Sequence, residues 1–167
     1  MKLGHVHLKV RSLARALPFY ERAFGLRLRE RAGRFAFLSG GDAHHELALQ
    51  EVGDQALIPQ PHSVGLYHVA FEVPDANGLR QAWRTLREMG IEASAVDHGI
   101  SHALYFSDPD GNGLEIYLDT RTTAGGASDW RGRSERLRFD EDPDAAGAGA
   151  APDRRDRADR TRSNPRS

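Results

Sequence analysis

Residues 97–117 read DHGISHALYFSDPDGNGLEIY, and the reading of their middle decides the fold. Counted from Asp108, the residues Asp108, Asp110, Asn112 and Gly113 fall at positions 1, 3, 5 and 6 of a calcium-binding helix–loop–helix. The rest of that motif fails. Position 8, usually apolar, is Glu115, and position 12 is Asp119 rather than a bidentate Glu. The flanks, ALYFS and LEIYL, read as short strands, not helices. DPDGNG is therefore expected to be a tight turn between two strands, because Asp, Asn and Gly tolerate turn dihedrals.

Outward from this hairpin, the first 120 residues read as one unit written twice. LGHVHLKV (3–10) and LYHVAFEV (66–73) both alternate like strands and carry His-Val at the same place, at His5 and His68. Each is followed by an amphipathic stripe: Leu13, Leu17, Tyr20 and Phe24, then Leu79, Trp83, Leu86 and Met89. Ser12 and Asp75 are candidate N-caps, and Gly25 and Gly90 candidate stops. Pro18 conflicts with the first helix, which is expected to kink there or to start later. Three strand-like runs follow each helix, at Leu26–Arg31, Arg34–Leu38 and His45–Glu51, then at Glu92–Asp97, Ala103–Ser107 and Leu114–Leu118. The expectation is an α+β fold: two βαβββ repeats (about 1–52 and 64–120) in a domain over 1–122, sharing one curved, open-barrel mixed sheet.

Composition bounds the rest. The chain has 167 residues, no cysteine and a net charge of -1, so disulfides, thiolate metal sites and a nucleic-acid-binding excess of charge are not expected. No apolar run is long enough for a membrane span, and no secretory block opens the chain, so a cytoplasmic protein is the default. From residue 124 onward, ten Arg face nine Asp plus Glu with only Trp130, Leu137 and Phe139 as large apolar residues. Residues 123–167 are accordingly expected to form a disordered, solvated tail whose removal leaves function untouched. The interleaved acids argue against an RNA-binding stripe.

All eight histidines precede residue 103. One histidine alone is more often a surface or hydrogen-bonded residue than a ligand, but His5 and His68 occupy matched positions of a repeat. Glu115 and Tyr117 point opposite to Leu114, Ile116 and Leu118. If their face is solvated, Glu115 is an ordinary exposed acid. If it shares a cavity with His5 and His68, the three make a 2-His-1-carboxylate set suited to Fe(II). His7 either lines the same cavity or pairs with backbone. His62 and His102 have structural or surface readings, and Phe19 and Tyr20 read as core.

The His-Val strand, the FYER helix, the duplicated βαβββ and the DPDGNGLEIY end resemble the vicinal oxygen chelate superfamily. That group holds glyoxalase I, fosfomycin-resistance transferases, bleomycin-binding proteins and extradiol ring-cleaving dioxygenases. The longer string is similar to the extradiol signature: Val96-Asp97-His98, Leu104-Tyr105, Asp108-Pro109-Asp110-Gly111 and Glu115. The resemblance implies an oxidoreductase that opens a catechol-type ring with O2. It implies Fe(II), or Mn(II), on His5, His68 and Glu115. His98 and Tyr105 would hydrogen-bond the substrate oxygens, and His45, with His44 as rival on the opposite side of a strand, would be the acid/base. The chain has one such paired module where many extradiol enzymes have two, which leaves a homodimer to complete the pocket walls. The alternatives are a glyoxalase-like lyase or thiol transferase using a non-redox metal, with Glu46 as a fourth ligand, and a non-enzymatic binder that sequesters a small molecule.

Overall fold

The computed structural model describes residues 3–60 and 62–139. The repeat organises it. Strand β1 (Val6–Val10) leads into α1 (Leu13–Phe24), then β2 (Arg27–Ala32), β3 (Phe35–Ser39) and β4 (Leu47–Glu51). The second unit copies this as β5 (Val69–Glu72), α2 (Ala76–Glu88), β6 (Ser94–Asp97), β7 (Ser101–Ser107) and β8 (Gly113–Asp119), and a short β9 (Glu135–Arg136) follows. The α+β reading holds, but the strands form two mixed sheets rather than one. Their orders are β1-β4-β3-β2 and β5-β8-β7-β6-β9, and among the described residues β1 and β5 each keep one unpaired edge. In both sheets the first strand lies parallel to the last of its repeat, Val6 opposite Leu47 and Val69 opposite Leu114.

Local chemistry explains both helices. Asp75 caps α2 by accepting from Gly78 N at 2.8 Å, and the helix closes with Gly90 N–H on Arg87 O and Ile91 N–H on Leu86 O, the Schellman pattern. Ser12 sits at the N-cap of α1 with extended backbone, yet its side chain makes no capping bond. Glu51 takes that role from β4, accepting from Leu13 N at 2.8 Å. The helix begins ahead of Pro18, which excludes the later start.

Leu13, Ala16, Leu17, Phe19 and Tyr20 are buried, and α1 carries the first repeat onto the second sheet. The Phe24 ring lies 4.1 Å from Phe71 of β5 and 5.7 Å from Phe106 of β7, and Phe19 lies 6.4 Å from Phe106.

The DPDGNG turn completes this junction. Asp108 is 5% exposed and saturated with donors. Its Oδ1 accepts from Asp110 N and Asn112 N at 2.8 Å each, and its Oδ2 from Asn112 Nδ2 at 2.8 Å and Tyr20 OH at 2.9 Å. Asp110 accepts from Arg11 N at 2.8 Å and from the Arg15 guanidinium at 2.6 Å. The two carboxylates therefore do more than shape the bend, because they join it to β1 and α1, about a hundred residues earlier. Burial first, then the charges of Asp108 and Asp110, push the Tyr20 phenol far above its usual value, so Tyr20 stays a donor.

The stretch expected to be a disordered tail is corrected up to Leu137. Residues 135–136 pair antiparallel with β6, Val96 opposite Arg136 and Asp97 opposite Glu135. Ala127 N–H bonds Gly99 O at 2.9 Å and Leu137 N–H bonds Ala95 O at 3.0 Å. Backbone pairing on the free edge of β6 supplies the order that the few apolar side chains do not. The expectation for residues 140–167 lies outside the described residues. No helix among the described residues is long and apolar enough to cross a membrane.

Candidate metal centre

In β8 the alternation places Leu114, Ile116 and Leu118 in the core and turns Glu115 and Tyr117 to the other face. Register extends that face sideways, since Ala70 and Glu72 of β5 stand opposite Glu115 and Tyr117, and Tyr105 and Ala103 of β7 stand opposite the same two residues. The outcome is a polar sheet face with its acids already engaged. Tyr117 OH donates to Glu72 at 3.0 Å.

The central string is continuous. His68 Nε2 lies 2.9 Å from Glu115 Oε2. Tyr105 OH donates to Glu115 Oε1 at 2.9 Å, and His98 Nε2 is 3.0 Å from that phenol oxygen. Glu115 is 7% exposed, and both its oxygens are engaged by these neighbours. Burial first, then the bond to Glu115, push the Tyr105 phenol well above its usual range. His68 stands just before β5, and Gly113 fixes that position. A Cβ on Gly113 would lie 2.1 Å from the Tyr67 carbonyl oxygen, so only glycine lets β8 approach so closely.

The first repeat gathers a separate group. The His5 and His45 rings are 4.5 Å apart, and Phe37 stands 5.0 Å from His45. His44 and His45 lie in the loop before β4 rather than on opposite faces of a strand, because β4 starts only at Leu47. Their Nδ1 atoms meet at 2.8 Å, and His44 Nε2 reaches Glu30 at 3.2 Å. Desolvation first, then the charges of His5, His44 and His7, hold His45 below the ordinary histidine value. Glu46 accepts from Gly40 N at 2.9 Å.

Among the described residues, no three His, Asp or Glu side chains converge to hold a metal ion. The expected ligand set is divided, with His68 and Glu115 together and His5 apart with His45. The pair that does meet offers an imidazole nitrogen beside a carboxylate oxygen, the donor types that a divalent ion accepts. Among the described residues His68 Nδ1, which is buried, has no hydrogen-bond partner, so the tautomer of this ring is set at its Nε2 end. With Glu115 alone as neighbour Nε2 carries the proton, and a cation at Nε2 would move it to Nδ1. A cleft of about 970 Å³ opens beside the pair, lined by His68 and Tyr105, by His7, Lys9 and Arg11 of the first repeat, and by the 56–60 linker. His7, which the sequence left open, lines this cleft, and His5 does not.

Relatives carry the same plan. The model of the Glyoxalase/Bleomycin resistance protein/Dioxygenase superfamily matches residues 2–116, and this chain belongs to that superfamily. It is 39% identical over 117 residues to a catechol-2,3-dioxygenase of Bacillus subtilis, a match covering 70% of this chain and 41% of that protein. It is 31% identical over 131 residues to biphenyl-2,3-diol 1,2-dioxygenase 3 of Rhodococcus globerulus, covering 77% of this chain and 69% of the relative. A lactoylglutathione lyase of Neisseria meningitidis serogroup A is 30% identical over 127 residues, covering 70% of this chain and 89% of the lyase. Among solved structures, a glyoxylase/bleomycin resistance protein/dioxygenase domain from Frankia sp. EAN1pec superposes with a TM-score of 0.60 at 23% identity over 71% of this chain and 98% of that one, a likeness of fold. The chain thus spans less than half the length of the Bacillus dioxygenase it matches.

Proposed function

We propose that this chain is an extradiol-type dioxygenase that opens a catechol-like ring with O2 on Fe(II), Mn(II) being the other ion this ligand set accepts. The observation that carries the reading is the unbroken string His68–Glu115–Tyr105–His98 along one sheet face. His68 and Glu115 would hold the ion with a His5. Held there, Fe(II) would supply Lewis-acid and redox chemistry toward a diol and O2. The protein residues supply the proton control. Tyr105, held protonated, donates to a substrate oxygen rather than taking its proton. His98 keeps the phenol in place through its 3.0 Å contact. His45, held below the ordinary histidine value, is neutral near pH 7 and can accept the proton of the second hydroxyl.

A homodimer reconciles this chemistry with the divided ligands. His5 is exposed beside the unpaired edge of β1, and His68 precedes the unpaired edge of β5. Leu3, Leu57, Val64, Leu66 and Tyr67 are exposed in the segments leading to these edges. A second copy laid edge to edge would bring its own His5 and His45 to His68 and Glu115.

Reconstitution with Fe(II) without oxygen, addition of a catechol panel and then admission of air tests the reading. The expected result is a coloured ring-opened product with one O2 consumed per ring. The lyase relative favours a second reading, since the chain covers most of its length. No catechol turnover, together with a thiol-adduct reaction supported by Ni(II) or Mn(II), would establish that reading. The engagement of Glu46 with Gly40 argues against it as the additional metal ligand.

The pH profile supplies a further check. Neutral His45 is the competent form and its value is depressed, so kcat/KM holds as pH falls through the usual histidine value of 6.5 and drops only below it. His45→Ala removes that acid limb. An acid limb centred above 6.5 in the unaltered protein counts against His45 as the base.

A further inference from the structure

The region matched by the family ends at residue 116, yet the ordered chain continues and returns to the site. After β8, Thr120 is tied to the 99–100 turn by its N–H on Ile100 O at 2.9 Å and its hydroxyl on Gly99 O at 3.0 Å. The chain then reverses around Gly126, where a Cβ would lie 1.7 Å from the Thr120 carbonyl oxygen, so the reversal requires glycine. It runs back along β6 through the Ala127, Leu137 and β9 backbone bonds. The Arg133 guanidinium bonds Asp97 at 2.8 Å and Glu135 at 3.1 Å. This places the Arg133 carbonyl oxygen 3.0 Å from His98 Nδ1 and 3.0 Å from Trp130 Nε1, with Ser134 Oγ 3.3 Å from the same histidine nitrogen.

We propose that residues 127–137 form a strap that positions His98, through the Arg133 carbonyl, for its work on Tyr105. A carbonyl oxygen only accepts, so contact with it keeps the proton of a neutral His98 on Nδ1. Trp130 Nε1–H donates to the same oxygen and holds it in place. The Nε2 lone pair of His98 then faces the Tyr105 oxygen at 3.0 Å. Tyr105 has a single proton and two acceptors in reach, Glu115 at 2.9 Å and His98 at 3.0 Å. A His98 fixed as an acceptor competes with Glu115 for that hydrogen bond, so the phenol, still protonated, is freer to turn its O–H to an arriving substrate oxygen. Without the strap, Nδ1 loses its partner, the ring is free to carry its proton on Nε2, and the phenol proton is confined to Glu115. Arg133 and its neighbours on the strap are positioning residues, since they touch His98 and not the reacting atoms. The catalytic consequence rests on the dioxygenase reading, whereas the orientation of His98 does not.

The test releases the strap in the full-length protein. Arg133→Ala with Leu137→Pro removes the clasp to Asp97 and the N–H donated to Ala95, and Arg133→Lys with Leu137→Ala keeps both kinds of contact. In the metal-free protein, long-range ¹⁵N–¹H spectra should show His98 as the Nδ1–H tautomer, changing to Nε2–H in the released variant and restored in the conservative one. Exchange of the Ala127 amide should speed up in step. With Fe(II) and a catechol, kcat should fall about ten-fold or more with KM little changed and iron content intact. A released variant whose His98 keeps the Nδ1–H tautomer overturns the proposal, and so does a changed tautomer with unchanged kcat. If the unaltered protein turns over no catechol, the dioxygenase reading fails, while the tautomer still decides whether the strap positions His98.

Discussion

If the proposed site is shared between two copies, mixing His5→Ala chains with Glu115→Ala chains should restore about a quarter of the unaltered protein's catechol-cleaving rate, with neither variant active alone. The arithmetic follows from a site shared between two copies. Random pairing makes about half of the dimers mixed. In a mixed dimer one site combines both defects, and the other combines an intact His5 with an intact Glu115. The result requires subunit exchange, so the chains are co-expressed or refolded together, and iron content is read alongside activity. His5 is exposed, and its loss should shift stability by less than about 0.5 kcal/mol. Glu115 is buried against Tyr105 and His68, so Glu115→Gln, which keeps its shape, serves as a second partner in the mix. Activity in either single variant shows that the altered residue is dispensable. No recovery on mixing, with both variants folded and dimeric, places the whole site within one chain.

Asp108→Ala should be the most destabilising single change in the hairpin. It leaves four donors without their acceptor: the Asp110 and Asn112 amides, Asn112 Nδ2 and the Tyr20 hydroxyl. Leaving buried donors unpaired around a lost charge costs about 3–5 kcal/mol, a melting shift of roughly 10 °C or more for a chain of this size. Tyr20→Phe removes one of those bonds, with an expected cost of about 1.5–3 kcal/mol. The two losses should not add, because they share a bond, and a double-mutant cycle by thermal unfolding measures the coupling. Additive losses, or an Asp108→Ala cost below about 0.5 kcal/mol, would show that this carboxylate does not join the repeats.

The DPDGNG segment is both a bend and a tie between the two repeats. As sequence it is a turn, and the dihedral preferences of Asp, Asn and Gly suffice to say so. That its carboxylates face Tyr20, Arg11 and Arg15 was not legible, because contacts between residues about a hundred positions apart follow no local period. The tail shows the same limit. Its composition is too polar to form a core, yet residues 127–137 are ordered by backbone pairing with β6, a bond type that leaves little trace in composition.

The sequence by itself determined the duplicated βαβββ, the two helices with their caps at Asp75 and stops at Gly25 and Gly90, and the face of β8 on which Glu115 stands. All of these follow from periods of two and 3.6 residues and from short-range cap chemistry. The tertiary structure decided which matched residues meet. His68 meets Glu115 because parallel β5–β8 pairing and the bare Cα of Gly113 bring them together. His5, at the equivalent place of the first repeat, faces His45, because α1 packs the first repeat onto the second sheet through Phe19 and Phe24 and, among the described residues, the β1 and β5 edges do not pair with each other. A repeat specifies equivalent positions, but their convergence depends on how the two sheets are joined, and that is a property of packing rather than of period.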